Sequence, residues 1–105
     1  MKIPPSEHRL EEPLLTELIS ELEGWTSDGT RLEKTFTFKG FKGAVAFANR
    51  VADAANAADH HPDIHIEGYR HVRIVSTTHA TGGISQADVD LAGAIDVAAS
   101  PRPTP

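Results

Sequence analysis

Apolar positions recur along this chain with two different periods, and each change of period marks a new element. Leu14, Leu15, Leu18, Ile19 and Leu22 repeat as one helix face behind Pro13, whose fixed φ suits a first helical position. A first helix is therefore predicted from about Glu12, with Gly24 as its C-terminal stop. Asp28-Gly29 signals a tight turn, and the run after it alternates. Leu32, Phe36 and Phe38 point one way and Glu33, Thr35 and Thr37 the other, with Lys34 a polar intruder on the apolar side. Gly40 and Gly43 bracket Phe41 and open a second helix to about Ala58, with Phe41, Ala44, Phe47, Ala48, Val51, Ala52 and Ala55 as its apolar stripe. Pro62 prevents that helix from running past His60 and His61.

Ile64 and Ile66 alternate with Asp63, His65 and Glu67 as a short strand, and Glu67-Gly68 turns the chain. A further strand is predicted from about Tyr69 to Thr78, with Val72 and Ile74 on one face and His71, Arg73, Val75, Thr77 and His79 on the other. Gly82-Gly83 breaks it. Ser85 followed three residues later by Asp88 then resembles a capping box, opening a third helix with Val89, Leu91, Ala92, Ile95 and Ala99 inward. The string predicts an α+β domain: a four-stranded antiparallel sheet with three helices on one face, in the order α-β-β-α-β-β-α. We expect one domain over residues 12–99, an N-terminal arm over 1–11 and a mobile tail over 100–105. Pairing the exposed edges of such a sheet across a two-fold axis is a cheap way to cover them, so a homodimer or a dimer of dimers is expected.

At 105 residues the chain is long enough to bury one core without staples. Cysteine is absent, which excludes disulfides, thiol nucleophiles and cysteine-bearing metal sites. A formal net charge of −5, with Lys and Arg scattered, argues against a direct nucleic-acid partner. The N-terminus has no apolar signal-like region and no long apolar run follows, so no membrane association and a cytoplasmic location are expected.

Histidine changes the picture most. Five of the six histidines lie between His60 and His79, and unperturbed imidazole titrates near pH ~6.5, so such a cluster suits proton transfer or metal binding. His61 and His65 have the helical zinc spacing, but Pro62 between them denies that helix and no cysteine completes a ligand set, so no metal site is expected. His65 and His71 read as strand residues. Asp88 reads equally as a helix cap and as part of a pocket rim.

Asp59-His60-His61-Pro62, then Tyr69, His79, Gly82-Gly83 and Asp88, resembles the pattern of the pterin-4a-carbinolamine dehydratase family over roughly residues 8 to 98. Phe36-x-Phe38-x-x-Phe41 and Asp88-x-Asp90-Leu91-Ala92 extend the likeness. The resemblance implies removal of water from 4a-hydroxytetrahydropterin to give quinonoid dihydropterin, with pterin as substrate and no metal or other cofactor. It implies a pocket lined by His60, His61 and His79 as the catalytic set, with His61 and His79 moving protons and His60 holding the ring. Asn56, Asp59, Pro62, Thr78 and Asp88 are the implied substrate-binding residues.

The chain departs from the pattern at two places. Asn56 stands where the family usually has glutamate or another ionisable residue, and Asp63-Ile64 stands where many members have a large aromatic. Asparagine hydrogen-bonds but supplies no charge. The alternative implied by the resemblance is therefore a catalytically degenerate, dehydratase-like protein that acts as an assembly factor, or chaperone, for RuBisCO and is associated with carboxysomes.

Overall fold

Seven elements follow one another in the computed structural model, which describes residues 7–100: α1 (Leu14–Ser20), β1 (Thr26–Ser27), β2 (Leu32–Thr37), α2 (Phe41–Ala58), β3 (Asp63–Glu67), β4 (His71–Ser76) and α3 (Gln86–Ala99). The four strands form one antiparallel sheet in the order β1-β2-β4-β3. This is the expected α+β fold in the expected element order. Residues 1–6 of the expected arm and 101–105 of the expected tail lie outside the described residues.

Strand register explains the core. Leu32, Lys34 and Phe36 of β2 pair with Ser76, Ile74 and Val72 of β4, and Ile64 of β3 pairs with Ile74 from the other side. Because side chains alternate along a strand, these residues share one sheet face. Ala44, Phe47, Val51 and Ala55 of α2, Val89, Leu91, Ala92 and Ile95 of α3, and Leu15 of α1 join Leu32, Val72 and Ile74 in one buried cluster. Phe47 is fully buried, with its ring 4.7 Å from that of Phe36 and 5.0 Å from that of Phe38. Burying one such side chain is worth about 1.5–3 kcal/mol.

The polar intruder on that face is accommodated. Lys34 Nζ donates to Asp96 Oδ1 and to the carbonyl oxygen of Glu23, both at 2.9 Å, and lies 4.7 Å above the Phe36 ring. Trp25 Nε1 donates to the same Asp96 carboxylate at 3.1 Å, so one carboxylate on α3 answers both polar groups at the edge of the core.

Three sequence readings shift, and the arm docks. α1 ends at Ser20 rather than running to Gly24, because Glu21 and Leu22 bond back to Leu18 and Ile19 in a tightened turn, and Gly24 takes its positive φ of 83° in the loop beyond. Phe41 and Ala52 leave the apolar stripe of α2 and are exposed. Ala52 is rotated about 100° from Val51, off the buried face, and Phe41 is the first helical residue, ahead of the turns that cross the core. β4 stops at Ser76, since Thr78 N–H turns to the Gly83 carbonyl at 2.9 Å, and this takes His79 out of strand parity with His71. Leu10 N–H donates to the Ile84 carbonyl at 2.8 Å and Arg9 bridges to Ser85, so the described end of the arm lies against the approach to α3.

Replacing Phe47 by alanine is expected to cost about 3–5 kcal/mol, whereas Val97→Ala on the exposed face of α3 stays within about 0.5 kcal/mol. Urea denaturation of both variants beside the wild type measures the difference.

Candidate active site

The end of α2 sets the first two histidines. Asp59 adopts the left-handed conformation (φ 51°, ψ 42°), its N–H donates to the Asn56 carbonyl at 3.3 Å, and His60 N–H donates to the Ala55 carbonyl at 3.1 Å. This is the paired-bond helix stop in which one residue past the cap turns left-handed, a conformation that aspartate tolerates. The reversal swings His60 inward, where it is 9% exposed, and leaves His61 exposed. Pro62 then leads directly into β3.

Asp88 is what His60 meets. Its carboxylate is 0% exposed and is held from four sides. Oδ1 accepts from His60 Nε2 at 2.7 Å and from Ser76 Oγ at 2.5 Å, while Oδ2 accepts from Thr78 Oγ1 at 2.6 Å and from Ser85 N–H at 2.9 Å. The last of these is the capping box read from the sequence, so Asp88 caps α3 and anchors His60 at once. Burial pushes its pKa up, but the bonds from Ser76, Thr78, Ser85 N–H and His60 outweigh burial and hold it below the ordinary value of 3.8. An ionised carboxylate only accepts, so Nε2 of His60 carries a proton and Nδ1 is the nitrogen left over.

A tight loop supplies the third histidine. Thr78 N–H bonds to the Gly83 carbonyl, while Thr81 N–H and Gly82 N–H bond back to the Thr78 carbonyl at 3.1 and 3.0 Å. Gly82 takes a φ of 67°, which a side chain would disfavour. His79 projects from this loop, exposed. Thr78 is pinned beneath it by the 2.6 Å contact between Thr78 Oγ1 and Ser85 Oγ.

These pieces border one open pocket of about 250 Å³, lined by Glu7, Asp59, His60, His61, Thr77, Thr78, His79 and Ala80. Of the sequence-derived candidates, His60, His61, His79, Asp59 and Thr78 line it. Asn56 stands one step back, its Oδ1 accepting from His61 Nε2 at 3.1 Å. Asp88 lies beneath the pocket rather than on its rim, and Pro62 serves the chain reversal rather than the lining. Tyr69, though part of the resemblance, sits at the β3–β4 turn, the end of the sheet away from Ser76. His71 bonds through Nδ1 to Thr37 Oγ1 at 2.9 Å, and His65 pairs across to Arg73, both on the face opposite the helices. Among the described residues no group of three or more His, Asp or Glu side chains is placed to hold a metal ion.

Sequence reading did not pick out Glu7, Ser76 or Ser85 as site residues. Ser76 did leave a signal, since it shares strand parity with the buried Val72 and Ile74 and so places a hydroxyl on the core face. Glu7 left none, because it reaches the pocket only through the docking of the arm.

Residues 8–98 match the sequence model of the pterin 4 alpha carbinolamine dehydratase family. The chain belongs to that family. A relative from Thermosynechococcus vestitus, provisionally named a pterin-4-alpha-carbinolamine dehydratase, is 52% identical over 77 residues, 73% of this chain and 80% of that one. A second with the same name, from Thermomicrobium roseum, is 45% identical over 84 residues, 80% and 89% of the two chains. The fold of this dehydratase-family chain is similar to that of a transcriptional coactivator/pterin dehydratase from Brucella melitensis, with a TM-score of 0.81, 30% identity, and 89% and 100% coverage. It also resembles, in fold alone at 24% identity and a TM-score of 0.57, a pterin dehydratase-like protein identified as a RuBisCO assembly factor in the alpha-carboxysome, covering 71% and 86% of the two chains.

Asp88→Asn is expected to cost about 3 kcal/mol or more, because an amide cannot accept all the bonds aimed at it. The depressed folded pKa means that the carboxylate's contribution is complete above the ordinary 3.8 and is lost as pH falls through the lower folded value. Urea unfolding between pH 7 and pH 2 should therefore show wild-type stability dropping more steeply than that of the variant below pH ~4.

Proposed function

We propose that this protein dehydrates 4a-hydroxytetrahydropterin to quinonoid dihydropterin. The observation that carries this reading is the convergence of His60, His61 and His79, from a helix end and a separate loop, on one pocket with His60 fixed by a buried carboxylate. The reaction needs little more than two placed proton carriers. As the C4a–O bond breaks, a protonated imidazole gives its proton to the leaving hydroxyl, which departs as water. A neutral imidazole takes the proton from N5 as the C4a–N5 double bond forms, so the protons balance and solvent exchange resets the pair. Positioned acid–base catalysis of this kind is worth about 10²–10⁴-fold.

The two transfers are assigned to His61 and His79, which are exposed to the pocket, and the holding of the ring to His60, whose Nε2 is committed to Asp88. Asp59 supplies a polar contact for the substrate, while Thr78, its hydroxyl committed to Asp88 and Ser85, braces the loop that carries His79. Asn56 steers His61 through its amide oxygen without adding charge.

Asn56 also favours a second reading. Where the family pattern has an ionisable group, this chain has a neutral one, which suits a degenerate pocket on a protein that binds RuBisCO during its assembly. Yields of soluble RuBisCO on co-expression should then rise with this protein, and equal yields count against that reading.

Stopped-flow assay of 4a-hydroxytetrahydropterin dehydration tests the enzyme reading. Wild type should exceed the uncatalysed rate, and His61→Ala and His79→Ala should each lower kcat by about 10²–10⁴-fold. Turnover absent from wild type but present in Asn56→Glu would overturn the dehydratase reading.

A further inference from the structure

The pocket has a wall that its histidines do not provide. Glu7 lines it from the N-terminal arm, a segment distant in sequence from every other lining residue. The arm is fixed just beyond it: Leu10 N–H bonds to the Ile84 carbonyl at 2.8 Å, Arg9 bridges to Ser85, and Leu10 packs against the core. Gly83 lies under the arm so closely that a Cβ there would come within 3.0 Å of Arg9 Nε. The same loop that carries His79 therefore forms the bed on which the arm rests. Glu7 is half-buried and its carboxylate makes no hydrogen bond or ion pair within the described residues. Asp88, by contrast, has its two oxygens filled by its four donors and has nothing to offer a ligand.

Resting on the dehydratase reading, we propose that Glu7 is a specificity-determining residue that binds the amino-pyrimidinone edge of the pterin ring. That edge carries an exocyclic 2-amino group beside a ring N3–H, two donors side by side at the spacing of the two oxygens of a carboxylate. A paired, charge-assisted contact of this kind is both strong and directional. The other groups of the lining suit other work: the imidazoles suit the C4a–N5 bond being altered, and the hydroxyls of Thr77 and Thr78 are already committed to Thr30, Asp88 and Ser85. Asp59 is the other carboxylate of the lining, but it turns the chain in the left-handed position at the helix end, next to the histidine pair. Glu7 comes from outside that turn and gives the ring edge its own anchor. A site built to accept from an amino group rejects an analogue lacking it, because its acceptor is then left facing another acceptor.

Isothermal titration calorimetry with 7,8-dihydropterin and with 7,8-dihydrolumazine, which has an oxygen in place of the 2-amino group, tests this directly. Wild type should prefer 7,8-dihydropterin by about tenfold or more. Glu7→Gln presents one acceptor and one donor, which fits the lumazine edge instead, so the preference should vanish or reverse, with binding of 7,8-dihydrolumazine undiminished. Glu17→Gln on the exposed face of α1 should leave the preference as in wild type. In turnover, Glu7→Gln should raise KM about tenfold with kcat nearly unchanged, a split that loss of structure does not give. A Glu7→Gln protein that keeps the wild-type preference, or loses both ligands equally, overturns the role of Glu7 while the dehydratase reading stands. A wild type that binds neither ligand overturns both.

Discussion

The carboxylate of Asp88 is the constraint around which the site is built. A charge with no solvent exposure survives only if every lone pair facing it is answered, and here the answers come from three parts of the fold. Ser85 and Asp88 itself belong to the start of α3, Ser76 and Thr78 to the end of β4 and its loop, and His60 to the end of α2. The carboxylate thus fixes the meeting point of three elements whose apolar faces alone would allow some sliding. Hydrogen bonds have preferred lengths and directions, and hydrophobic contact has neither.

That fixation passes directly into the pocket. His60 is held in one ring orientation and one tautomer by the carboxylate beneath it, and Thr78 is held as the floor of the loop that carries His79. The groups assigned to proton transfer stand at the exposed rim on these rigid supports. A second buried-edge carboxylate, Asp96, does comparable work at the other end of α3 by satisfying Lys34 and Trp25, but no histidine joins it. The two ends of one helix are thus tied to the sheet by charge, and only one of the ties reaches the histidine cluster.

Much of the fold was legible because periodicity reports burial directly. The 3.6-residue stripe Ala44, Phe47, Val51, Ala55 and the two-residue alternation of Val72 and Ile74 each named their element and its inward face. The site was legible in part for a different reason: His60, His61, Pro62, His79 and Asp88 form a spacing pattern that resembles a family, and the family match over residues 8–98 agrees with it. The element ends were misread where a short turn bond cut a periodic pattern off. β4 ended early because Thr78 found Gly83, and α1 ended early because its last turn tightened before Gly24.

The sequence by itself determined the element order, the inward faces, the stop of α2 before Pro62 and the residue types available for chemistry. These follow from local sterics and from the period of apolar side chains, which act over a few residues. Only the tertiary structure decided that Asp88 lies under the pocket instead of on its rim, that His71 and His79 part company, and that Glu7 joins histidines more than fifty residues away. Those outcomes depend on which distant groups share one small volume, and that is set by the closing of the sheet and the packing of the helices across it, not by any stretch of the chain.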